Sequence, residues 1–182
     1  MKIVIDTCVL YPTVMREVVL GAARAGHFVP VWSARILEEW ARAAIKLGPQ
    51  GEAQARAEIA LLRNAWPDAE YPPASGLEQR LWLPDPADVH VLAVAVASSA
   101  DAIMTLNAKD FPRRTLDEQG LKRLDPDGFL HSLWQIDPDG ITSVAERVLA
   151  EARRLSGDNW EMRSLLKKAR LPRLAKAVGR GS

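Results

Sequence analysis

A single cysteine, Cys8, excludes any intrachain disulfide from this 182-residue chain. Its place in the apolar run at the start of the chain marks it as a small buried hydrophobe of a reducing compartment. Long hydrophobic runs are missing: the longest apolar stretch, around Val89 to Ala97, is too short to span a bilayer. The N-terminus has no charged-then-apolar layout of a secretory signal, so a cytoplasmic protein without a membrane partner is expected. Net charge is almost absent as well. With 24 Lys plus Arg against 23 Asp plus Glu, the balance of +1 draws the whole chain neither to nucleic acid nor to a membrane. His27, His90, His131 and Cys8 show no zinc-ligand spacing. There is no internal repeat and no low-complexity tract.

What is present is a globular composition, 48% hydrophobic and 26% charged, in a length suited to one domain with a small appendage. The charge is unevenly spread. From Trp160 to Ser182 seven basic residues (Arg163, Lys167, Lys168, Arg170, Arg173, Lys176, Arg180) face one acid, Glu161, so the tail carries +6 and the rest −5. A basic tail on an acidic body hints at a polyanionic partner.

Lys2 to Ile5 is a β-branched run ending at Asp6 and Thr7, which suits a buried strand entering a polar turn. Pro12 opens a helical pattern that stops at Gly26, Phe28 to Trp32 reads as a second strand, and Ser33 is an N-cap for the stripe Ile36, Leu37, Trp40, Ala44, Leu47. Glu52 to Ala65 is helical, Trp66 to Gly76 a proline-marked loop, and Leu77 to Leu83 a short strand. Asp85-Pro86 starts a helix to about Ser99; Ala102 to Leu106 is a strand, and Leu121 to Leu124 an edge strand before the helix opened by Asp125-Pro126. Strands alternating with helices predict a three-layer α/β/α architecture with a mainly parallel central sheet over residues 1–136, followed by a basic α-helical extension over 137–182.

In such a sheet the ligand site lies beyond the carboxyl ends of the strands. Asp6, Glu38, Glu39, Asp85, Asp88, Asn107 and Asp110 all fall at that rim. Each has a use of its own: Asp85 and Asp88 as helix caps, Asn107 and Asp110 as turn residues, Glu38 and Glu39 as solvated helix positions. Asp6 is the hardest to explain so, because a charge at the end of a buried strand is costly without a partner. Together the acids would repel one another unless a hard cation were held among them, and oxygen-only ligands suit Mg²⁺ or Mn²⁺.

Val4-Ile5-Asp6-Thr7-Cys8, Ser33 to Glu39, Asp85-Pro86-Ala87-Asp88 with Val91-Leu92-Ala93, and Thr105 to Phe111 together resemble the PIN domain of metal-dependent ribonucleases, and within it the toxin-type branch similar to VapC. The resemblance covers about residues 1 to 134. It implies an endoribonuclease that hydrolyses RNA phosphodiesters with Mg²⁺ or Mn²⁺, its acids being Asp6, Glu39, Asp88 and Asp110. Asp85 is an additional acid able to substitute for Asp88 or support it, Asn107 is the polar member of the last turn, and Thr7 orients Asp6. The doublet leaves Glu38 and Glu39 open. Arg16, Arg42 and Lys109 are candidates for phosphate contacts. The toxin branch further implies a small antitoxin protein that inserts a segment across the acidic rim, and pairing as a homodimer.

Other classes fit less well. An aspartyl phosphatase would have a second acid where Cys8 stands, a receiver domain would need an Asp where the second strand ends in Trp32-Ser33, and a dinucleotide-binding domain would need a Gly-rich turn absent from Thr7 to Pro12. The alternative is a catalytically inactive PIN-like RNA- or protein-binding module, with the basic tail making the contact. The tail has two readings: an amphipathic helix packed through Leu165, Leu166, Leu171 and Leu174, or an RNA contact.

Overall fold

A computed structural model describes residues 1–179; Arg180, counted above in the basic tail, lies outside them. In chain order the elements are β1 (Lys2–Ile5), α1 (Thr7–Leu10), α2 (Thr13–Arg24), β2 (Val29–Ser33), α3 (Ala34–Ala43) with a 3₁₀ turn at Ala44–Leu47, and α4 (Gly51–Ala65). There follow β3 (Glu70–Tyr71), α5 (Ser75–Glu78), a 3₁₀ turn at Pro86–Asp88, α6 (Val89–Ala97), β4 (Ala102–Met104), α7 (Arg113–Asp117) and β5 (Lys122–Leu124). The chain closes with α8 (Pro126–Ile136), α9 (Pro138–Ser156), α10 (Met162–Lys168) and α11 (Pro172–Val178). Among the described residues no helix is long and apolar enough to cross a membrane.

The residues group into two compact units. The first comprises Met1–Tyr11 and Val29–Arg123 and holds the sheet, in the order β3-β2-β1-β4-β5. β1 runs parallel to both β2 and β4, with Val4 opposite Val31 and Ile103, and β2 runs parallel to β3. This is the expected α/β class. Ile3, Val4, Ile5, Ile103 and Met104 are fully buried, as continuous apolar strands of a parallel sheet should be. The helix α6 packs on β1, β2 and β4 and is buried almost all round from Val89 to Ala95, which its sequence VHVLAVAVA permits.

Two local expectations are corrected. Leu77 to Leu83 is not a strand: one helical turn, α5, ends at Glu78 and the chain runs on without regular structure. The proline-marked loop contains β3, whose Glu70 and Tyr71 pair with Trp32 and Ser33.

The second unit comprises Pro12–Phe28 and the chain from Leu124 onward, all helical elements apart from the end of β5. Within it α2 packs on α8 and α9, and α8 on α9 and α11. Gly21 permits the close approach of α2 to α9, since a Cβ there would meet Val144 Cγ1 at 2.5 Å. Leu165, Leu166, Leu171 and Leu174 are buried, so the apolar face of the tail is used in packing and its Arg163, Lys167, Lys168, Arg170, Arg173 and Lys176 are exposed.

Candidate metal centre

With strand order 3-2-1-4-5 the direction of winding reverses between β1 and β4, and a crevice opens where loops leave the carboxyl ends of those two strands. Asp6 follows β1 directly; its amide donates to Met104 O of β4 at 3.1 Å, so the first acid is fixed at that reversal. The carboxylate is buried, and its Oδ2 accepts from Thr105 Oγ1 at 2.7 Å and from the Cys8 thiol at 3.1 Å. A buried charge is thus supplied with donors.

Asn107 and Asp110 lie in the turn that leaves the carboxyl end of β4. The Asn107 amide donates to Thr105 Oγ1 at 2.9 Å, and its Nδ2 donates to Asp110 Oδ2. Phe111 is fully buried next to Asp110, and Arg123 Nη1 donates to Ala108 O at 2.7 Å and Phe111 O at 2.9 Å. The turn is held at both ends.

Asp85 caps the following 3₁₀ turn through Ala87 N at 2.9 Å, so its capping role is real. It also joins a cluster: carboxylate oxygens of Asp85, Asp88 and Asp110 all lie within 4.8 Å of one another. Burial, and after it the charges of Asp6, Asp85, Asp110 and Glu39, push the Asp88 carboxyl up to about 6. Five carboxylates therefore share one field, and a cation is what would let them all ionise together. The donor set is oxygen only and half-exposed, which fits a hard divalent ion that keeps water ligands rather than zinc.

The doublet is divided by geometry. Glu39 lies toward the cluster: Thr7 Oγ1 donates to its Oε2 at 3.2 Å, and His90 Nε2 is 2.9 Å from its Oε1. Burial raises its pKa, but His90, Thr7 and Arg35 outweigh that and hold the carboxyl below its usual range. Glu38 is turned to Arg56 and Arg42, at 2.9 and 3.2 Å, and those guanidiniums hold its pKa at about 2. Thr7 does not bond to Asp6 as the sequence suggested; its hydroxyl serves Ile36 O and Glu39.

Of the three expected phosphate contacts, Arg42 is engaged by Glu38, Lys109 is exposed beside Asp110, and Arg16 is a buried residue of α2 in the second unit. The sequence reading missed four side chains. His90 is 2% exposed and presses on Glu39. Thr105 links Asp6 to the Asn107 turn. Arg35 lies 3.6 Å from Glu39 and 3.5 Å from Glu78. Cys8 is more than a hydrophobe: its thiol donates to Asp6 Oδ2 and its Sγ accepts from Leu106 N at 3.2 Å, while burial, then the Asp6 charge, push its pKa up to about 12 and keep it a thiol. Only the polar position of Thr105 within the turn, and His90 two residues after Asp88, offered any signal.

A family model described as PIN domain matches residues 2–109. No curated protein and no solved structure matches the chain.

Proposed function

The chain belongs to the PIN domain family, and from that premise we propose that it is a Mg²⁺- or Mn²⁺-dependent endoribonuclease. PIN domains are in general nucleases that use divalent metals. The observation that carries the reading is the convergence of Asp85, Asp88 and Asp110 within 4.8 Å, in the electrostatic field of Asp6 and Glu39.

Asp85, Asp88 and Asp110 would hold the ion, with Asp6 beside them. Its contribution when bound is a lowered pKa for water and neutralisation of the phosphodiester's charge. The protein's own residues do the arranging. Thr105 aims Asp6 and, through the Asn107 amide, sets the turn that presents Asp110. Thr7 and His90 hold Glu39 as a carboxylate directed at the same space. Trp82, 65% exposed three residues before Asp85, offers an open aromatic face on which an unpaired base can stack. That feature favours single-stranded or looped RNA over a closed duplex.

The resemblance to the toxin branch extends the proposal: the protein is the toxin of a type II toxin-antitoxin pair, acts as a homodimer, and is inhibited by a small protein that lays a segment across the acidic rim. To test the enzymatic reading, purified wild-type and Asp6→Asn proteins are given structured RNA with Mg²⁺. Cleavage by the first alone, abolished by EDTA, is expected. Equal cleavage by both, or activity that survives excess chelator, overturns it.

A further inference from the structure

The helical unit holds a second arrangement, remote in sequence from every acid of the rim. On α8, His131 and Trp134 are three residues apart and so share a helix face; on α11, Arg173 and Lys176 do the same. The two faces meet. The buried carboxylate of Asp127, in the first turn of α8, accepts from Arg173 N at 2.9 Å and Leu174 N at 3.0 Å, which fixes the N-terminus of α11 against α8. Between the helices lies a cavity of about 300 Å³ lined by His131, Trp134, Arg173, Lys176 and Ala177. The His131 and Trp134 rings are nearly parallel, 15° apart with centroids at 6.4 Å.

Chemistry decides the occupant. The cavity is of the size that takes one small planar group, and one of its walls is a pair of parallel aromatic rings. The opposite wall carries two cations whose side chains have no acidic partner within salt-bridge distance among the described residues. The acids at the start of α8 are engaged by backbone amides: Asp127 by Arg173 N and Leu174 N, and Asp125 by Gly128 N at 2.8 Å. An acidic peptide would satisfy the cations but leave the aromatic wall unused. A strand of nucleic acid uses both, because each base brings a flat face and each linkage a negative charge. The surrounding surface agrees: the leucines of the tail are buried and its basic residues are left facing water.

We propose that this cavity is a holding site for single-stranded RNA, in which one base stacks on Trp134 and His131 while the flanking phosphates pair with Arg173 and Lys176. The choice of RNA rests on the ribonuclease reading; the site itself does not depend on the acidic rim. Its test is therefore a binding measurement made without catalysis. The full chain carrying Asp88→Asn is mixed with a fluorescein-labelled twelve-nucleotide single-stranded RNA in EDTA, and anisotropy is followed at several salt concentrations. Relative to that background, adding Trp134→Ala should weaken binding about tenfold while adding Trp134→Phe leaves it nearly intact. Adding Arg173→Gln with Lys176→Gln should lower the slope of log affinity against log salt by about 1.4. Since both cations are exposed, that pair should fold normally, and a thermal melt checks it.

Unchanged affinity and slope in all variants overturn the proposal, as does the absence of RNA binding by the background protein. So does a result in which the substitutions release a Glu-rich peptide but not RNA. The two readings fail separately: cleavage by the wild type with affinity untouched by these substitutions removes only the holding site, whereas sensitive binding without any wild-type cleavage removes only the nuclease.

Discussion

At the scale of single residues, Asp88 carries the cost of the acidic rim. Burial and four neighbouring charges push its pKa from 3.8 to about 6, so the folded state binds that proton more tightly than the unfolded chain does. The stability from this protonation is complete below about pH 4 and is lost as pH rises through 6. Asp88→Asn should therefore raise the melting temperature of the metal-free protein at pH 7.5. The gain is on the order of 1–2 kcal/mol after solvent screening, or a few degrees, and should vanish below pH 4. Thermal melts in EDTA at the two pH values check this; an unchanged or lower melting temperature at pH 7.5 would mean the carboxylates do not crowd. His90 makes a second case. Its imidazole is enclosed: Nε2 lies 2.9 Å from Glu39 Oε1 without the alignment of a hydrogen bond, and neither ring nitrogen has a hydrogen-bond partner among the described residues. His90→Phe keeps most of the volume but frees Glu39, and cleavage should fall ten- to hundredfold, with partial recovery in His90→Gln, whose amide can donate. Activity in His90→Phe equal to wild type would leave the histidine as packing alone.

Among the elements, the attachment of α11 depends on one carboxylate. Asp127 satisfies two of the amides that the start of a helix leaves unpaired. Asp127→Ala should loosen that docking by about 2–3 kcal/mol, seen as faster hydrogen exchange over Pro172–Val178 with little change in β1 or β4. Equal protection in the variant would show that the buried leucines suffice. Which elements could be read from sequence follows from how each is made. Ser33, Asp85-Pro86 and Asp125-Pro126 announce their helices because the cap is local, and Ser33 Oγ does accept from Ile36 N at 3.2 Å. The strand β3 was hidden because its two residues are extended only through pairing with β2. Leu77 to Leu83 misled for the converse reason: its leucines alternate, yet Leu83 alone among them is fully buried.

At the scale of the molecule, strand order is what assembles the site. Placing β1 between β2 and β4 brings Asp6, Glu39, Asp88 and Asp110 to one edge, although 104 positions separate the first from the last. Alternation of strands and helices made that edge legible together with its seven polar residues, whereas the choice of these four acids among them came from the resemblance to PIN domains. The supporting shell was not legible. His90 against Glu39 and Thr105 against Asp6 are contacts between elements far apart in the chain, and no local pattern encodes them. Every proposed role at the rim requires the acids to act as one cation site, and calorimetric titration of the apo-protein with Mn²⁺ tests that most directly. Saturable binding by the wild type, lost in Asp88→Asn and Asp110→Asn but kept in Arg42→Gln, is the predicted result. Binding of equal strength in the wild type and both acid variants, or none in the wild type, would contradict it.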